Sequence, residues 1–109
     1  MNLASKILAI RLKEETMSVP EWDATIGIRE MNVEQRLRFA EDAKKWPAVA
    51  MVRLLITCAF DPESGKPLFD QAHHDSLLQQ PGAVIDRIVT EICRISGLGT
   101  AESEAAEKN

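Results

Sequence analysis

The stretch Ala48-Val-Ala-Met-Val-Arg-Leu-Leu-Ile-Thr-Cys-Ala-Phe60 decides how the rest of the chain is read. Val49, Met51, Val52, Leu54, Leu55, Ile56, Cys58 and Phe60 leave no polar face, and Arg53 is the single charge. A helix that is apolar all round sits at the centre of a bundle or is covered by a second subunit. The run falls short of the roughly 20 apolar residues needed to cross a bilayer. In a domain this small few neighbours exist to cover such a helix, which argues for self-association.

Working outward, the residues before it predict a second helix. Asn32 is a good N-cap and Gln35 stands where a capping box needs it. Val33, Leu37, Ala40 and Ala43 repeat at helical spacing as the apolar face, with Glu34, Arg38, Glu41 and Asp42 turned to water. Pro47 stops that helix and suits the first turn of the next. After the central run, Asp61-Pro-Glu-Ser-Gly-Lys-Pro67 is a turn. Asp70 then caps a short helix through Leu78. Pro81-Gly82 opens a last helix in which Ile85, Ile88, Ile92 and Ile95 recur at steps of three and four. Gly97 should end it in a left-handed C-cap, with Leu98 folding back onto apolar surface.

The first thirty residues read differently. Residues 3–10 suggest a short amphipathic helix, marginal unless packed. Thr16-Met-Ser-Val19 and Ala24-Thr-Ile-Gly-Ile-Arg29 alternate in polarity around Pro20-Glu-Trp-Asp23, a β-hairpin pattern covered by Trp22 and weakened by Gly27. The expected fold is therefore mainly α with a small N-terminal β-hairpin (α+β), a compact bundle of about four helices. One domain is expected over 1–98, with the hairpin near 14–30, followed by a disordered acidic tail over 99–109.

With 109 residues and 45% apolar content, the chain has enough material for one core without staples. Seventeen acidic residues outnumber thirteen basic ones, giving a net charge of −4, and the basic residues are interrupted by acids. That balance argues against a phosphate-backbone partner. The last helix mixes Asp86, Arg87, Glu91 and Arg94, unlike a basic recognition helix. The N-terminus lacks the pattern of a signal peptide, so a soluble cytoplasmic protein is expected.

Residue patterns that could carry chemistry read better as structure. Asp61, Glu63 and Gly65 do not match a calcium loop, because Pro62 follows the first acid and Ala72 occupies the twelfth position. His73 and His74 point about 100° apart on a helix and cannot share one metal as i, i+4 ligands would. Gly97-Leu-Gly99 follows a helix instead of opening one, so it is a terminator and not a phosphate cradle. Cys58 and Cys93 stand alone in apolar runs and read as small buried hydrophobes. No catalytic, cofactor-binding or metal-ligating residues are assigned, and the expected function is non-enzymatic.

Several short motifs occur in a telling order. Val19-Pro-Glu-Trp-Asp23 precedes Ile26-Gly-Ile-Arg-Glu30, which leads into Asn32-Val-Glu-Gln-Arg36. Leu54 to Asp61 then runs into Gly65-Lys-Pro-Leu-Phe69, and Leu77-Leu78 stands before the closing helix. Over residues 14–98 this arrangement resembles the tail assembly chaperones of siphophages, the lambda-like long-tailed phages. The resemblance implies a protein required to build the tail and absent from the mature virion. It would bind the tape measure protein and recruit tail tube subunits, and would tend to self-associate. It also implies that a longer form made by ribosomal frameshifting can exist. Glu107-Lys108-Asn109 is compatible with this, since GAA-AAA-AAC contains the slippery heptamer A-AAA-AAC.

A helical tape measure protein presents apolar stripes that a helix-in-groove surface can cover. Exposed parts of the helices at 48–60 and 83–96 are the expected surface, represented by Met51, Val52, Leu55, Ile88, Ile92 and Ile95, with Met51 supplying adaptability. The competing reading is a small helical interaction adaptor or regulator of phage or prophage origin.

Overall fold

The computed structural model describes residues 2–98. The acidic segment 99–109, including the proposed slippery codons at 107–109, lies outside the described residues. The elements run α1 (Leu3–Leu8), β1 (Glu14–Val19), β2 (Ala24–Arg29), α2 (Val33–Lys45), α3 (Pro47–Cys58), β3 (Ala59–Phe60), α4 (His74–Leu78) and α5 (Gly82–Ile95). The mainly helical fold with an N-terminal hairpin is as expected.

The hairpin forms where the polarity alternates, with Met17 opposite Ile26 and Val19 opposite Ala24. Pro20–Trp22 makes a 3-10 turn, and Asp23 closes it at φ 49°, a left-handed conformation that a short polar side chain tolerates. Trp22 is half-buried, and its indole N–H donates to Gln80 Oε1 at 2.9 Å. Its ring meets Phe69 edge-on at 5.9 Å, so the turn is fastened to the chain that precedes α5.

The central helix is two residues shorter than its apolar run suggests. It ends at Cys58, and Ala59–Phe60 pair with β2 as a third antiparallel strand, in the order β1-β2-β3. Two residues are too few to show a strand period. The pairing also explains Gly27, which sits opposite Phe60. A Cβ at Gly27 would lie 2.4 Å from a carbon of the Phe60 ring, so the ring occupies the place of the missing side chain. Arg29 stacks on the same ring at 4.8 Å and is held by Glu14 at 2.6 Å.

Behind the sheet lies the core. Ile26 and Ile28 meet Leu55, Cys58, Val84, Ile88 and Ile92 in one buried cluster. The monomer thus covers much of α3 by itself: Ala50, Val52, Leu54, Leu55 and Cys58 are buried within it. The argument for self-association from an uncovered α3 falls away. Helix α5 buries Val84, Ile85, Ile88, Val89, Ile92 and Ile95, the stripe its spacing predicts plus two valines.

The helix ends obey local rules. Asn32 and Gln35 form the full capping box, and Pro47 occupies the first turn of α3. At the end of α5, Gly97 adopts φ 86° while the Leu98 N–H donates to Cys93 O at 2.8 Å and the Gly97 N–H to Arg94 O at 3.2 Å, a Schellman closure. Buried Ser96 accepts from the Met31 N–H at 2.9 Å and donates to Ile92 O at 2.6 Å, joining the start of α2 to the end of α5. Ser96→Ala would strand the Met31 N–H. The expected loss is about 1–2 kcal/mol in a urea melt.

Helix α2 overturns its predicted orientation. Val33 is 78% exposed, Leu37 is 63% exposed, and Ala40 and Ala43 also face outward. Asp42, expected in water, is 7% exposed and accepts from Arg53 Nη1 at 3.1 Å. The contact with α3 is built from Gln35, Phe39 and Asp42 against Ala50, Arg53, Leu54 and Thr57. Two constraints select this face. Phe39 offers more apolar area than two alanines, and the half-exposed Arg53 needs a carboxylate opposite it. The corner between α2 and α3 is the single residue Trp46, which leaves little freedom to rotate.

Candidate protein-binding surface

Several of the charged side chains are engaged in structural work. Arg87 of α5 grips Glu21 in the hairpin turn at 2.5 Å, and Arg94 spans Glu15 of β1 at 2.6 Å and Glu91 at 2.7 Å. Both arginines of α5 are therefore taken by carboxylates, and they fasten the helix to the hairpin. The Glu21 carboxyl is held down to about 2 by the Arg87 hydrogen bond. The stability from this pair is fully present above the ordinary carboxyl value of 4.5, declines as pH falls, and is lost below about 2. Arg87→Gln should flatten the stability profile between those limits, which urea midpoints measured against pH will show.

Burial pushes the Cys58 thiol up to about 11 and raises Cys93 as well. Neither is poised as a thiolate nucleophile. The His73 ring accepts the Asp70 backbone N–H at 3.0 Å and completes a capping box with that residue. Asp61 Oδ1 accepts from the Glu63 N–H at 2.8 Å, and the Gly65 N–H returns to Asp61 O at 2.7 Å, so this loop is a self-satisfied turn. Among the described residues no group of three or more His, Cys, Asp and Glu is arranged to hold a metal ion. No helix among them is long and apolar enough to cross a membrane.

What the surface does offer is apolar. A cleft of about 110 Å³ lies between α3, α4 and α5, lined by Ala48, Met51, Val52, Leu77, Leu78, Gln80, Gly82 and Ile85. A larger groove of about 460 Å³ runs beside β2 between Trp22, Thr25, Ile26, Pro62, Leu68 and Phe69. Of the six residues assigned to partner contact from the sequence, Met51 is half-buried and lines the first cleft, where Val52 also forms part of the wall. Val52, Leu55, Ile88, Ile92 and Ile95 are buried in the monomer core, at 4% exposure or less. Apolar spacing alone cannot tell a core stripe from a docking stripe.

Two further apolar surfaces stand open, and of these only the α2 face was expected to pack. In α1, Leu3, Ile7 and Leu8 are all at least 54% exposed, as is Ile10 just beyond it, and the helix buries nothing. The second is the Val33–Leu37 face of α2. The signal available in the sequence was Arg53, whose charge within an apolar run called for an acid on the neighbouring helix.

This arrangement of hairpin and helices matches a solved structure, that of the bacteriophage HK97 tail assembly chaperone. The TM-score is 0.65, with 23% identity, over 84% of this chain and 91% of that one. This chain has the fold of a phage tail assembly chaperone. The agreement therefore concerns the course of the backbone more than the side chains, and it spans nearly all of the HK97 protein. No protein-family model and no curated protein matches the chain.

Proposed function

We propose that this protein is a phage tail assembly chaperone. It binds the tape measure protein and tail tube subunits in the host cytoplasm during tail morphogenesis, and is absent from the finished virion. The observation that carries this reading is the fold shared with the HK97 chaperone. The ordered motifs over 14–98 support it. So do the apolar clefts beside β2 and α3, which suit the binding of a protein partner.

In this reading the Met51 cleft receives an apolar helical stripe of the tape measure protein. Met51 stands at its rim as an adaptable contact, with Leu78 beside it. The chain also self-associates. A longer frameshifted form would extend from the segment around Lys108.

Co-expression with the tape measure protein tests the function. The soluble fraction of the tape measure protein should rise, and Met51→Glu should reduce the gain while the variant itself stays folded. Unchanged solubility with the unsubstituted chain would overturn the chaperone reading.

A further inference from the structure

We propose that the acidic segment 99–109 of this chain seats on the chain's own N-terminal arm, residues 2–13, and masks its basic side chains. The contact stays within one chain and does not rest on the chaperone reading. The arm carries Lys6, Arg11 and Lys13 and no acid, whereas the segment carries Glu102, Glu104 and Glu107 against the single Lys108.

The three cations of the arm stand apart because none of them forms an ion pair among the described residues. Arg29, Arg53, Arg87 and Arg94 are each held by a carboxylate. The acids at the root of the arm are already engaged. Glu14 is taken by Arg29, Glu15 by Arg94, and Glu30 Oε1 by the Lys13 backbone N–H at 2.9 Å. The basic residues of α2 offer a poorer seat, since Glu34, Glu41 and Asp42 stand among them.

The backbone starts the segment beside the arm. The Glu30 N–H donates to Lys13 O at 2.9 Å, and the next residue, Met31, donates its N–H to Ser96 Oγ at 2.9 Å. The root of the arm and the end of α5 therefore flank the same two residues. Four extended residues beyond Leu98 span up to about 14 Å and nine up to about 32 Å, which brings Glu102 to Arg11 and Lys13 and Glu107 to Lys6. Beside Arg11 lies a cleft of about 460 Å³, lined by Ile10, Arg11, Leu12, Glu14 and Arg29, in which the segment can lie. Single exposed ion pairs are weak, yet a tethered segment forms them at an effective concentration on the order of millimolar.

A zero-length carbodiimide cross-link on the full chain at high dilution tests the contact. Lys6 and Lys13 should be joined to Glu102, Glu104 or Glu107 within the monomer, well above links from the same glutamates to Lys44, Lys45 and Lys66. Links that show no such preference overturn the proposal, and so do links found only in covalent dimers. Trypsin gives a second readout through its cuts after Lys6 and Arg11. Replacing the three acids together, by Glu102→Gln, Glu104→Gln and Glu107→Gln, should speed those cuts at least about fivefold with the thermal melt unchanged. Raising the salt to about 0.5 M should speed them likewise in the unsubstituted chain. Equal cutting of the two chains at low salt overturns the proposal.

Discussion

Leu55→Ala or Ile88→Ala is expected to lower folding stability by about 3 kcal/mol, seen as an earlier urea midpoint with the slope retained. Both side chains are fully buried at 0% exposure, with β2, α3 and α5 contributing to the same cluster. Truncation removes apolar contact and leaves a cavity that close-packed neighbours only partly fill. A domain of this size has about 5–15 kcal/mol in total, so the loss is a large fraction of it. Leu37→Ala serves as the contrast. That side chain is 63% exposed, and its truncation should change stability by no more than about 0.5 kcal/mol. If Leu55→Ala left stability intact while weakening association, the central stripe would belong to an interface.

The second large effect is expected at Gly27. Gly27→Val should cost about 2–3 kcal/mol, because its Cβ would fall inside the space of the Phe60 ring. The ring cannot easily withdraw, being 9% exposed and stacked under Arg29. A strand position normally gains from a β-branched residue, so the sign of the change is itself diagnostic. Combined with Phe60→Ala, which vacates the space, the cost of Gly27→Val should shrink or reverse. Equilibrium denaturation of the four proteins in this double-mutant cycle measures the coupling. Additive effects would contradict the packing of Phe60 over Gly27.

Local features were legible because they depend on neighbours in sequence. The Asn32 capping box, Pro47 at a helix start and Gly97 with Leu98 at a helix end are satisfied within a few residues of themselves. The hairpin around Pro20–Trp22 was legible for the same reason, and α5 because its stripe has a single unambiguous side. The third strand was not, since Ala59 and Phe60 become a strand only through β2.

The candidate site was harder to read than the fold. Val52, Leu55, Ile88, Ile92 and Ile95 have the composition of a docking stripe and the position of a core. Val33 and Leu37 have the composition of a core and the position of an open surface. Apolar character states that a side chain gains by leaving water, but not which surface will receive it.

The central apolar run was therefore sufficient by itself to determine that this protein is built on a buried helix, and the flanking caps and turns to determine which segments surround it. Tertiary structure alone decided the outward turn of α2. The short corner at Trp46 and the pairing of Asp42 with Arg53 select the face that packs, and both depend on where two helices meet in space.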